Sequence, residues 1–183
     1  MSLQPLADID RHYDKPDPWG YENNPQDMRR KSEILGVLPE RAYGRVLDIG
    51  CGDGFLTFDL PGAEVVGIDV SPAAVGWADK RKATLSATEA ARFTFQAGSV
   101  FDLRQVVQGE FDLVVVTGVL YPQYIGAASS VVLPVIDSIL RPGGVLVSCH
   151  IDSWQPPRFP YALADLSLYP YREYMHRLEV YLT

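Results

Sequence analysis

The chain is short of cysteine, of long apolar runs and of positive charge, and each shortage closes off a class of function. Two cysteines in 183 residues, one of them inside a glycine-rich stretch, cannot build a disulfide framework, so Cys51 and Cys149 read as thiols. No apolar run approaches the roughly 20 residues that cross a bilayer. Met1-Ser2-Leu3 opens no charged and apolar leader, so the expectation is a cytoplasmic chain with no membrane partner. With 16 Lys and Arg against 23 Asp and Glu, the net charge is −7 at pH 7. Binding a phosphate backbone normally needs a basic face, so a small-molecule substrate is expected and nucleic acid is not. Cys149-His150-x-Asp152 is followed by no second ligand pair, and no metal site is expected. Internal repeats and low-complexity tracts are missing as well.

What is present is a composition ordinary for one globular domain, 47% hydrophobic and 21% charged. The strongest local pattern is Val46-Leu47-Asp48-Ile49-Gly50-Cys51-Gly52-Asp53-Gly54, a buried strand running into three alternating glycines. Without Cβ atoms the turn lets backbone approach a ligand closely. The spacing differs from the Gly-x-Gly-x-x-Gly of dinucleotide sites, and Asp48 would repel a pyrophosphate at the following helix. A cofactor that carries positive charge and no phosphate suits the loop better.

Around this turn, apolar runs predict strands at 45–49, 64–69, 93–96, 111–117, 144–150 and 176–182. Helices are expected from Asn24-Pro25 to about Leu38, from near Gly54, from Ser71-Pro72 to before Arg92, and over 124–140, halted by Arg141-Pro142-Gly143-Gly144. The alternation implies an α/β fold with a doubly wound, mostly parallel sheet. The division expected is an arm or lid over 1–40, a core over 41–151 and a proline-rich substrate-side segment over 152–183, in one domain.

Ligands in open α/β sheets gather at strand C-terminal ends, which nominates several side chains. Asp69 ends the second strand about twenty residues past the glycine turn, where an acid can bind both ribose hydroxyls; the alternative is a surface acid in a turn. Val70 follows it and can pack on a base or in the core. Thr117 and Tyr121 close the fourth strand, as backbone contact and substrate contact. His150, at the end of the fifth, is placed for a general base, though a lone histidine is more often structural. Tyr13, in the aromatic arm, is a further candidate for proton handling.

The hydrophobic-hydrophobic-Asp-x-Gly-x-Gly-x-Gly string resembles the first motif of class I S-adenosylmethionine (SAM) dependent methyltransferases. The resemblance implies their Rossmann-like fold and SAM as cofactor, with S-adenosylhomocysteine as product. It also places Gly50, Cys51 and Gly52 against the ligand and gives Asp48 the task of touching it or of orienting the loop. Ser99 and Val100 stand where that family holds the adenine, with Asp102 as the alternative to Ser99. The arm, with His12-Tyr13, Asp17-Pro18-Trp19-Gly20-Tyr21 and Arg29-Arg30-Lys31, is similar to the NodS-like methyltransferases, some of which N-methylate a chitooligosaccharide amine. That likeness implies that Trp19, Arg30 and Lys31 close over the cofactor, a cation meeting its carboxylate; the alternative is a solvated helix face. The C-terminal region is short for the family. The expected activity is methyl transfer to an N or O nucleophile of a small-molecule acceptor, a sugar or oligosaccharide, against a non-catalytic SAM-binding or sensing module.

Overall fold

Seven strands make one sheet because five apolar runs can bury both faces and two later ones extend the edge. β1 (Arg45–Ile49), β2 (Glu64–Asp69), β3 (Phe93–Ala97), β4 (Phe111–Thr117) and β5 (Leu140–Ile151) lie parallel; β6 (Ala162–Tyr171) and β7 (Tyr174–Leu182) form a hairpin, β7 running antiparallel to β5. In the computed structural model, which describes residues 3–183, the order is β3-β2-β1-β4-β5-β7-β6. Valine and leucine dominate β4, which is buried from Phe111 to Val116, as expected of a central strand covered on two sides. Met1 and Ser2, part of the leader argument, lie outside the described residues. Among the described residues no helix is long and apolar enough to cross a membrane.

The helices are α1 (Leu6–His12), α2 (Pro25–Gly36), α3 (Pro72–Lys82), α4 (Ala87–Ala90), α5 (Leu103–Val106), α6 (Pro122–Ile125) and α7 (Ser129–Asp137). Strand alternation sorts the core into two layers. Val46, Val65, Val115 and Val147 pack with Ile34 of α2 and Val75 and Ala78 of α3. Leu47, Val66, Val114 and Leu146 pack on the other face with Leu103 of α5 and Val132 and Ile136 of α7. Each of these valine, leucine and isoleucine side chains contributes about 1.5–3 kcal/mol by leaving water. Strand order reverses between β1 and β4, so their C-terminal ends open a crevice where a ligand can sit.

Five local expectations are corrected. The helix expected from Ser71-Pro72 to before Arg92 ends at Lys82, and Ser86 caps a separate short helix, α4. No α-helix follows Gly54: only a single 3-10 turn, Thr57–Asp59, fits before Pro61-Gly62 leads into β2. The helix expected over 124–140 is two, α6 and α7, because Gly126 turns to φ +58 between them, and α7 stops at Asp137. β5 begins at Leu140 rather than Gly144, its pairing jumping from Phe111↔Leu140 to Leu113↔Val145 around the exposed Arg141–Gly143 bulge. Two helices precede the sheet instead of one, since Pro5 starts α1 from a segment with only Leu6 and Ile9 as large apolar residues. β6 was not foreseen either. Pro170 is tolerated there because an edge strand has one side with no ladder bonds to lose.

Candidate active site

Positive φ at Gly50 (+81°) and Gly52 (+56°) bends the chain sharply out of β1. A Cβ on Gly50 would stand 2.2 Å from Val119 Cγ1, and one on Gly52 would press on the Tyr13 hydroxyl at 3.0 Å in a backbone conformation that side chains disfavour. The turn is tied to β2 by Gly50 N–H and Cys51 N–H, which donate to Ile68 O at 2.7 and 3.0 Å. Gly52 N–H donates to Asp69 Oδ2 at 2.9 Å, while Ser71 N–H donates to Asp69 Oδ1 at 2.9 Å. Burial raises the Asp69 pKa, against the pull of those two amides.

The arm closes the crevice from above through polar contacts to α3 and the turn. Asp10 Oδ1 accepts from Ser71 Oγ at 2.5 Å and from Ala73 N–H at 3.1 Å, and Trp77 Nε1 donates to Tyr13 O at 2.8 Å. Asp17 N–H donates to Asp53 Oδ2 at 3.0 Å, which pins the arm directly to the glycine turn. Gln4 N–H reaches Gln123 O at 2.8 Å on the opposite rim. Beneath lies a cavity of about 280 Å³.

Tyr13, Trp19, Arg30, Asp48, Gly50, Cys51, Gly52, Asp69, Val70, Ser99, Val100 and Thr117 all line this cavity. Asp48 is 1% exposed, and Thr57 Oγ1 donates to its Oδ2 at 2.7 Å. Burial lifts its pKa to about 6. The Arg30 guanidinium lies 4.8 Å from the centre of the Tyr21 ring and 3.5 Å from Asp27 Oδ1. Among the described residues, Asp48 Oδ1 and Arg30 Nε are the two buried side-chain polar atoms with no hydrogen-bond partner. Ser99 Oγ is used locally, accepting from Phe101 N–H at 3.2 Å.

Three nominated side chains are not brought to the cavity. His150 is 1% exposed; its Nε2 accepts from Leu120 N–H at 3.2 Å and its Nδ1 lies 3.1 Å from Ser148 Oγ. Burial, with His176 adding to it, depresses its pKa to about 3, which leaves it neutral. Tyr121 accepts from Ile151 N–H at 2.8 Å and packs edge-on to Trp154, and burial raises its phenol. Lys31 Nζ is held by Asp59 Oδ2 at 2.7 Å and Phe55 O at 3.3 Å, so it clamps α2 to the segment after the turn. Asp102 is exposed and does not line the cavity, nor does any residue of the 152–183 segment.

Sequence reasoning passed over Asp53, Tyr21, Phe101 and Tyr124, which do line it. Asp53 had a signal, its place between two glycines of the turn. Tyr124 had a weaker one: Pro122 starts α6, and the helix delivers Tyr124 to the crevice while Tyr121 is buried behind it.

A family model described as a methyltransferase domain matches residues 41–172. An uncharacterized methyltransferase of Synechocystis sp. is 36% identical over 132 residues, 68% of this chain and 56% of that protein. A trans-aconitate 2-methyltransferase of Paracidovorax citrulli is 32% identical over 135 residues, 70% of this chain and 47% of its own. The chain thus spans about half the length of these curated relatives. Among solved structures, the N-methyltransferase NodS of Bradyrhizobium japonicum with S-adenosylhomocysteine is similar at TM-score 0.78 and 22% identity, covering 97% of each chain. Magnesium protoporphyrin IX methyltransferase of Synechocystis with bound SAM reaches TM-score 0.71 at 18% identity, over 99% of this chain and 98% of that one. At such identities these two likenesses show a shared fold.

Proposed function

Since this chain belongs to the methyltransferase domain family, we propose that it transfers a methyl group from SAM to the nitrogen of a small-molecule amine, with amino sugars as the acceptor class. The observation that carries the cofactor is one cavity lined by two residues that each hold a buried polar atom without a partner, Asp48 with its Oδ1 and Arg30 with its Nε. Leaving such atoms unmade costs about 1–3 kcal/mol each. A ligand with an ammonium or sulfonium at one point and a carboxylate at another matches a wall that carries Asp48 and Arg30. The methionine end of SAM has that chemistry, so the residues present fit the group.

When bound, SAM supplies a methyl group on a positively charged sulfur that is already a good leaving group. The chain's own work is then positioning and exclusion of water. In this reading Asp48 faces the cationic groups and Arg30 the carboxylate. Gly50, Cys51, Gly52 and Thr117 lie along the methionine portion. Asp69 keeps lone pairs for two ribose hydroxyls while its amide partners fix its orientation. Val70 and Val100 sandwich the base, and Tyr13 and Trp19 close the lid.

How protons can be handled supports the choice of an amine. Burial, reinforced by the Asp69 charge, raises the Tyr13 phenol well above its ordinary range, so it stays protonated and does not serve as a base. His150 and Tyr121 face away. An amine that arrives unprotonated and gives its proton to water after transfer fits this lining better than an alcohol needing a base. The likeness to NodS, itself an N-methyltransferase, supports the same choice.

A second reading, binding without transfer, is favoured by one observation: the residues lining the cavity run only as far as Ile125. Incubation with methyl-labelled SAM and a panel of amino sugars, oligosaccharides and small acids separates the two. Label in an amine product supports transfer. Tight SAM binding with no labelled product in any pool overturns transfer and leaves the binding module.

A further inference from the structure

Arg30 faces two ways, toward the cavity and toward a polar cluster built by the C-terminal hairpin. In that cluster Asp27, 0% exposed on the first turn of α2, accepts from the Tyr171 hydroxyl on Oδ1 at 2.6 Å and from Arg172 on Oδ2 at 2.8 Å. Arg172 sits at the hairpin tip with φ +52, and its N–H donates to Gln26 Oε1, so the tip is docked on the start of α2. The two hairpin side chains therefore take one carboxylate oxygen each.

Arg30 approaches the same Oδ1 only to 3.5 Å, longer than a charge-assisted hydrogen bond, and its Nε has no partner. Its guanidinium is braced between the Tyr21 ring at 4.8 Å and the Tyr171 ring at 5.7 Å. An arginine beside an unoccupied carboxylate would normally close on it in a short paired contact. Here the Tyr171 hydroxyl already holds that oxygen.

We propose that the tip of the β6–β7 hairpin occupies the Asp27 carboxylate and thereby leaves the Arg30 guanidinium free for the carboxylate of the cofactor. Tyr171 and Arg172 are thus positioning residues that act from outside the cavity. The inference rests on the SAM reading above. It explains how a hairpin with no residue in the cavity still serves cofactor binding.

The test compares S-adenosylhomocysteine with 5′-methylthioadenosine, which lacks the amino-acid carboxylate, by calorimetric titration. Tyr171→Phe keeps the ring and frees Asp27 Oδ1 to close on Arg30. The homocysteine ligand then binds about fivefold more weakly, and methylthioadenosine is unchanged. Arg172→Ala, on the exposed tip, gives a smaller loss with the same selectivity. In an Asp27→Asn background the competing charge is gone, and Tyr171→Phe no longer changes either ligand. No selective loss in both single variants, an equal loss for the two ligands, or a selective loss that persists beside Asp27→Asn each overturns the proposal. Failure of the unaltered protein to bind S-adenosylhomocysteine is a different result, and it overturns the cofactor reading on which the proposal stands.

Discussion

In the proposed reading, Asp48 sets binding against stability. Its pKa in the fold, about 6, lies above the ordinary 3.8, so the fold favours the protonated form. The stabilisation from that group is complete below about pH 4 and is lost as pH rises through about 6. A shift of this size corresponds to about 3 kcal/mol at neutral pH. Asp48→Asn keeps an acceptor for Thr57 and removes the charge. It should therefore raise the melting temperature of the unliganded protein at pH 7.5 by several degrees while weakening S-adenosylhomocysteine about tenfold or more. In the unaltered protein the same affinity should fall as pH drops through about 6; the Asn variant should lack that step.

His150 carries the opposite sign. Its pKa is depressed from 6.5 to about 3, so its stabilisation is present above the ordinary value and is lost as pH falls toward 3. Replacing it with alanine leaves Leu120 N–H unpaired and opens a void, at a cost of about 2–4 kcal/mol. Urea unfolding should show that loss, with ligand affinity in the folded protein within about twofold. A variant with normal stability and abolished methyl transfer would restore the histidine to catalysis.

At the scale of elements, β7 belongs to the core and β6 to the rim. Leu178 is 1% exposed and packs with Val147 and Cys149, whereas Leu166 on the edge strand is 44% exposed. Leu178→Ala should lose about 2–4 kcal/mol in denaturant unfolding, and Leu166→Lys should stay within about 0.5 kcal/mol while lowering any tendency to associate through the open edge. Equal losses would mean that β6 is covered.

β1, β2 and β4 were readable because a strand buried on both faces carries a continuous apolar stretch, as Leu113–Val116 does in β4. α2 and α3 were readable from their caps, Asn24-Pro25 and Ser71-Pro72, whose side chains do accept the expected amides. The hairpin was half readable. His176–Leu182 alternates plainly, but in Ala162–Tyr171 the side chains of Leu163, Leu166 and Leu168 are exposed and Pro170 argues against a strand, so the pattern there points the wrong way.

Across the whole molecule, what the sequence revealed of the site depended on how locally each contact is made. The Gly50–Gly54 turn and Asp69 belong to one β-turn-β unit, so a short string carries them. A strand end near the crevice made His150 look accessible, yet which way a strand residue points depends on register, and His150 turns into the interior. Tyr171 and Arg172 meet Asp27 across 144 and 145 residues of sequence, a separation at which no motif exists to be read.

In the proposed reading the cavity under the arm takes SAM through Asp48, Asp69 and Arg30. The decisive measurement is calorimetric titration of the purified protein with S-adenosylhomocysteine, repeated with Asp69→Ala. One site per chain and at least about tenfold weaker binding in the variant are expected. No binding to the unaltered protein, or equal affinity in Asp69→Ala, would contradict it.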